Sequence, residues 1–139
     1  MRVIWTAATA LLLVACATTP VPSSSADPVP AARILAPEFT KPREGLAMLV
    51  VTRDVGLRMT ACSTSFFVEG VKVAKLEPGE QLRLFVEEGA HLVGVKAEGT
   101  ICLGGGADQE SVDVSRAKPV LLRIAAGGGG GIKIQPSAF

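Results

Sequence analysis

All fifteen glycines of this 139-residue chain lie at or beyond Gly45, and they divide everything after that point into short apolar runs. A chain that meets a turn signal roughly every ten residues has no room for long helices, whereas short strands joined by tight reversals suit it. Residues 46–53 are apolar almost throughout, as a strand buried on both faces requires. Phe66-Phe67-Val68 and Val71-Lys72-Val73 flank Glu69-Gly70, where the glycine can supply the positive φ of a two-residue hairpin turn. Glu77-Pro78-Gly79-Glu80 has proline and glycine at the two central positions of a type II turn. It leads into 82–86, where Leu82, Leu84 and Val86 share one face. Glu87-Glu88-Gly89 reverses the chain again, and 91–97 aligns Val93, Val95 and Ala97. Residues 100–103, 111–114, 120–125 and 132–134 complete the series, and 54–65 reads as irregular. The expected fold is all-β: one domain over 43–139, an antiparallel β-sandwich of about seven short strands.

The preceding segment has a different composition. Six of the nine prolines fall between residues 17 and 42, together with Ser23-Ser24-Ser25. The Val-Pro steps at 21–22 and 29–30 offer no apolar periodicity to bury. Proline fixes φ and biases its predecessor toward extended backbone, so a semi-rigid spacer of up to about 3.1 Å per residue is expected. It reads either as a tether holding the domain clear of a membrane or as a disordered linker with no length requirement.

Arg2 followed by the apolar run 3–15 has the charge and length of a signal peptide, and it falls short of the roughly 20 apolar residues that a spanning helix needs. The run ends in Leu13-Val14-Ala15-Cys16, with small residues on both sides of the cysteine. This motif resembles the bacterial lipobox. The resemblance implies cleavage before Cys16, a diacylglycerol thioether on Cys16, and acylation of the freed amine by a fatty acid such as palmitate. Several acyl chains at about 0.8 kcal/mol per buried methylene make a stable anchor where one would be marginal. The chain then divides into a signal peptide (1–15), a lipidated cysteine with its Pro/Ser-rich linker (16–42) and the domain (43–139). With Ala17 in place of an aspartate, the resemblance implies the outer membrane, with the domain facing the periplasm.

With Cys16 lipidated, Cys62 and Cys102 remain, and in an oxidising periplasm a disulfide is the default fate of such a pair. Closing a loop of about forty residues adds on the order of 4 kcal/mol. Two buried thiols, or metal ligation together with His91, are the competing readings. Zinc asks for four ligands at close spacings, a pattern these three residues do not make, so no metal or cofactor is expected.

The run Val86-Glu87-Glu88-Gly89-Ala90-His91-Leu92-Val93-Gly94-Val95 looks like the PEGA-type β-domain, with Glu87 standing where that family carries its proline. The earlier run from Phe67 to Ala74 fits the family's preceding hairpin, so the likeness covers residues 66–99. It implies a small β-sandwich used as an interaction module, with no catalytic residues to carry over.

The chemistry-bearing residues are sparse. His91 is the only histidine, so any histidine-based acid, base or triad would have to use it. Neither a Gly-x-Ser-x-Gly elbow nor a His-Glu-x-x-His pair occurs. Gly104-Gly105-Gly106 and the five glycines 127–131 lack the strand, helix and Lys-Ser/Thr context of a phosphate loop, and the second run reads as a hairpin loop. Without Arg2 the chain carries 13 basic and 13 acidic side chains, scattered rather than striped, which argues against a nucleic-acid partner. The expected role is non-enzymatic: a lipid-anchored envelope module that docks onto a protein or cell-wall partner through an edge strand or loops. The alternative is a periplasmic ligand binder or hydrolase inhibitor, which should hold a pocket of several hundred Å³ between its sheets. The oligomeric state stays open.

Overall fold

The computed structural model describes residues 18–56, 61–99, 102, 105–128 and 131–138. Residues 1–15, with Arg2 and Trp5, lie outside this set, as does Cys16. Among the described residues there are nine strands and two 3-10 turns, and no α-helix. In chain order they are β1 (Asp27–Pro28), η1 (Ala31–Arg33), η2 (Pro37–Thr40), β2 (Ala47–Arg53), β3 (Ser63–Val68), β4 (Val71–Leu76), β5 (Glu80–Val86), β6 (Gly89–Glu98), β7 (Ala107–Val114), β8 (Val120–Ala126) and β9 (Ile132–Pro136). They form a five-stranded sheet, β1-β5-β2-β8-β9, and a four-stranded sheet, β4-β3-β6-β7.

Alternation along the strands explains the burial. Leu82, Leu84 and Val86 of β5 point inward while Arg83 is exposed, and Val93 and Val95 of β6 do the same from the other sheet. One apolar cluster takes Leu49, Val51, Leu84, Leu122, Ile124 and Ile134 from the first sheet and Phe66, Val68, Val73, Val93, Val95 and Val114 from the second. Side chains of this kind each contribute roughly 1.5–3 kcal/mol on full burial. β2, flanked by β5 and β8, is buried along nearly its whole length. The β3–β4 turn has positive φ at both Glu69 (48°) and Gly70 (78°), the two-residue hairpin geometry. Gly79, at φ 82°, takes the third position of its turn as expected.

Three expectations need correction. The strands number nine rather than about seven, partly because two residues of the proline segment pair. The fold is not purely antiparallel: β8 runs parallel to β2, from Leu49↔Val120 to Arg53↔Ile124, and β1 runs parallel to β5. The cause is that the chain changes sheet between strands close in sequence. β5 pairs with β2 whereas β6 pairs with β3 and β7, so the Glu87-Glu88 reversal carries the chain from one sheet to the other instead of closing a hairpin. β8 likewise returns from the second sheet to lie beside β2.

The third correction concerns residues 18–42, which are neither a spacer nor disordered. Thr19 and Val55 exchange two backbone hydrogen bonds, at 2.7 and 3.1 Å. β1 then lies along the start of β5, where Gln81 Nε2 donates to the Ala26 carbonyl at 2.8 Å. Further on, the Leu35 and Ala36 amides donate to the Val73 carbonyl of β4, at 2.7 and 3.1 Å. Val29 and Ala36 belong to the core, and Ile34 and Phe39 pack against it. The segment is a strap over the outer edges of β5 and β4, so the fold includes residues before 43. Proline suits this duty, because an edge strand can do without some of its amide donors. Residue 100, 101 and 103 fall outside the described set, so the strand expected at 100–103 is not described.

Candidate functional site

The strand directions gather at one end of the molecule the described residues 54–56, 61–62, 77–79, 99, 102, 105–106, 127–128 and 131. Backbone bonds hold them there, with Gly79 N donating to Arg53 O at 2.9 Å, Asp54 N to Ile124 O at 2.9 Å and Ala97 N to Gly106 O at 2.9 Å. Cys62 and Cys102 are joined by a disulfide at this end, with their Cα atoms 5.3 Å apart. The strap also enters the fold here, at Thr18.

Beneath these loops lies the polar centre of the fold. Asp54 ends the apolar run of β2, and its side chain is 1% exposed. Thr18 Oγ1 donates to Asp54 Oδ2 at 2.9 Å and accepts the Ala126 amide at 3.1 Å. Arg123, projecting from the middle of β8, pairs with the same Oδ2 through Nη2. A buried charge is tolerated only when paired and hydrogen-bonded, and Arg123 and Thr18 meet that need. Asp54 Oδ1 and Thr64 Oγ1 find no protein partner, and Asp54 and Thr64 are among the residues around a cavity of about 10 Å³ that also touches Arg53 and Ile124. That is the room and polarity for one water.

Next to this centre, Arg53 is buried and donates from Nη1 to the Leu76 carbonyl at 2.6 Å. Burial pushes its guanidinium below the usual arginine value, opposed by the nearby charges of Glu77 and Glu80. Arg33 of the strap makes a two-pronged pair with Glu80, with Nη1 to Oε2 at 2.8 Å and Nη2 to Oε1. The hydrogen bond to Glu80 raises the Arg33 pKa. These contacts give the strap polar as well as apolar attachment.

The candidates drawn from the sequence are spread apart. His91 sits near the start of β6, its Nε2 2.7 Å from the Glu87 carbonyl and its Nδ1 3.3 Å from Glu69 Oε1. Cys62 adjoins Ser63, which pairs with Glu98 at the far end of the same strand. Seven residue steps of strand, about 24 Å, therefore separate the histidine from the disulfide, and the three residues do not converge on a metal. Among the described residues no group of three His, Cys, Asp or Glu side chains is placed to hold one. Thr18, Asp54 and Arg123 went unnoticed in the sequence. Their signal was there, because a lone arginine between Leu122 and Ile124, or an aspartate closing a run buried on both faces, needs a partner.

No protein-family model matches the chain, and no curated protein matches it. Among the described residues, no helix is long and apolar enough to cross a membrane.

Proposed function

We propose that this chain is a bacterial envelope lipoprotein anchored through acyl chains on Cys16, facing the periplasm from the outer membrane. Its folded part, the two sheets packed as a PEGA-like β-sandwich, acts as a non-enzymatic docking module for a protein or cell-wall partner. The observation that carries the anchor is Leu13-Val14-Ala15-Cys16 behind a single arginine and an apolar run. Docking is favoured over ligand storage because the space between the sheets is filled by the cluster around Phe66, Leu84 and Ile134, and the cavity beside Asp54 has the volume of one water.

The ligand-binding alternative has one observation in its favour. A groove of about 420 Å³ runs between strap and sheet, lined by Pro28, Val29, Ile34, Thr40, Leu82 and Arg83, a volume suited to a small apolar ligand. Two of its lining residues, Val29 and Leu82, belong to the core cluster.

Intact mass of the protein from a bacterial membrane fraction tests the anchor, with a diacylglycerol adduct on a chain starting at Cys16 as the expected result. An unmodified, soluble chain would sink it. Photocrosslinkers placed singly around the domain surface in living cells test the docking role. A discrete adduct from one face supports it, and no adduct from any position removes it.

A further inference from the structure

A strand at the edge of a sheet shows a row of unpaired amides and carbonyls unless something blunts it. The two sheets have four edges, and three of them are blunted. The strap runs along β4, where the Leu35 and Ala36 amides donate to the Val73 carbonyl. On the β5 side it places β1, two residues long and half proline, with η2 packed beside β5 further on. On β9 the backbone bonds from Gly127 N to Gly131 O and from Ser137 N to Leu121 O fix the alternation, which turns the backbone groups of Ile132, Ile134 and Pro136 outward. Pro136 has no amide to offer, and the Ile134 amide donates to Asp108 Oδ2 at 2.9 Å.

The edge of β7 is left open. Ala97 N donates to Gly106 O at 2.9 Å, and the register runs on from Lys96↔Ala107 to Gly89↔Val114. Alternation then gives the backbone groups of Asp108, Glu110 and Val112 to β6 and turns those of Gln109, Ser111 and Asp113 away from it. These three residues are exposed, and among the described residues no other strand or loop bonds to their backbone. An antiparallel newcomer can exchange two backbone bonds with each of them.

The charges of β7 are all of one sign. Asp108, Glu110 and Asp113 make no ion pair among the described residues, and the residues opposite them on β6 are Val95, Val93 and Ala90. Cations flank this run without answering it: Lys96 lies opposite Ala107, and Arg116, past the end of the strand, is taken by Glu88. A second copy pairing β7 with β7 would double the carboxylates along one seam, and like charges set opposite one another destabilise a ladder. A strand carrying lysine or arginine meets opposite charge instead.

Building on the docking reading given above, we propose that the outer edge of β7, over residues 109–113, is the docking surface, and that its partner is an extended, lysine- or arginine-bearing peptide segment added to the second sheet as a further strand. Backbone bonds supply the affinity, and the three carboxylates select the sign of the partner.

The test uses the full chain in a neutral detergent and a dye-labelled peptide of alternating lysine and threonine, read by fluorescence anisotropy at low salt. Binding is expected for this peptide, several-fold weaker binding for its glutamate counterpart, and little for a form N-methylated throughout, which keeps the charge and lacks the ladder donors. Ser111→Pro costs the fold no ladder bond, because that amide faces outward, yet it should weaken binding about tenfold or more through the backbone bonds it denies the peptide. Its melting temperature should stay close to that of the parent chain. Glu110→Lys combined with Asp113→Lys should reverse the preference in favour of the glutamate peptide, and this variant decides if Ser111→Pro fails to fold. Absence of binding, equal binding of the N-methylated form, or a preference untouched by the charge reversal overturns the proposal. A dimer of the free chain that Ser111→Pro abolishes assigns the edge to a second copy and overturns the basic partner. The docking role is judged separately by the photocrosslinkers: adducts from another face, with none from positions 109, 111 and 113, overturn this surface and keep docking, whereas no adduct from any position removes both.

Discussion

Asp54 is the residue on which the entry end depends, because one carboxylate oxygen serves both the strap through Thr18 and the sheet through Arg123. Asp54→Ala should cost about 3 kcal/mol or more, most of it from leaving a half-buried guanidinium uncompensated. Thr18→Ala removes one hydrogen bond and should cost about 1 kcal/mol. Urea unfolding of each variant checks both values. A double variant that adds Arg123→Met should recover part of the Asp54→Ala loss, and strict additivity would show that the pair is not coupled. Glu98 carries a separate pH signature. Lys72 Nζ lies 2.8 and 3.0 Å from its carboxylate oxygens and Lys75 is 3.6 Å away, and the Lys72 contact holds the Glu98 pKa below the ordinary 4.5. Below 4.5 the unfolded chain binds the proton first, so stability is fully present above that pH and is lost as pH falls through the lower folded value. A pH series of unfolding curves should show this acid-side decline, and Lys72→Ala should flatten it by an amount within the 0.2–1 kcal/mol range of such pairs.

The strap is the element that most changes the meaning of this sequence. Removing residues 1–42 would take Val29 and Ala36 out of the core and Ile34 and Phe39 from its margin, and bare the edges of β5 and β4. Burial of this size is worth several kcal/mol, and bare strand edges template aggregation. A chain starting at Thr18 should therefore be a soluble, cooperatively melting species. One starting at Arg43 should melt at least 10 °C lower or be recovered as aggregate, by calorimetry and size-exclusion chromatography. What could be read in advance follows the range of the interaction. Glu69-Gly70 and Pro78-Gly79 announce their turns because turn chemistry is local. Val93 and Val95 announce a buried face because alternation is local. The strap's Val29, Ile34, Ala36 and Phe39 keep neither a helical nor a strand period, since they follow the outline of two sheet edges, so no pattern could reveal them. The parallel partnership of β2 and β8 is equally hidden, because nothing in either strand names its neighbour.

At the scale of the whole molecule, Cys62 and Cys102 join the β2–β3 connection to the β6–β7 connection, beside the point where the strap enters. Their pairing followed from the compartment implied by Cys16 and not from any local pattern. The bond closes a loop with a sequence separation of 40, which corresponds to about 4 kcal/mol of stabilisation. Set against the 5–15 kcal/mol of an ordinary domain, that is a large share of the total. Cys62 is 2% exposed, so a reductant reaches the bond through Cys102 or through local opening of the entry end. Reduction should therefore be slow in the native state and quicken when Thr18→Ala loosens that end, as timed alkylation with mass detection would show. Once reduced, the domain should lose about 4 kcal/mol in urea unfolding. A reduced protein as stable as the oxidised one would mean that the sheets and strap hold the fold without the bond.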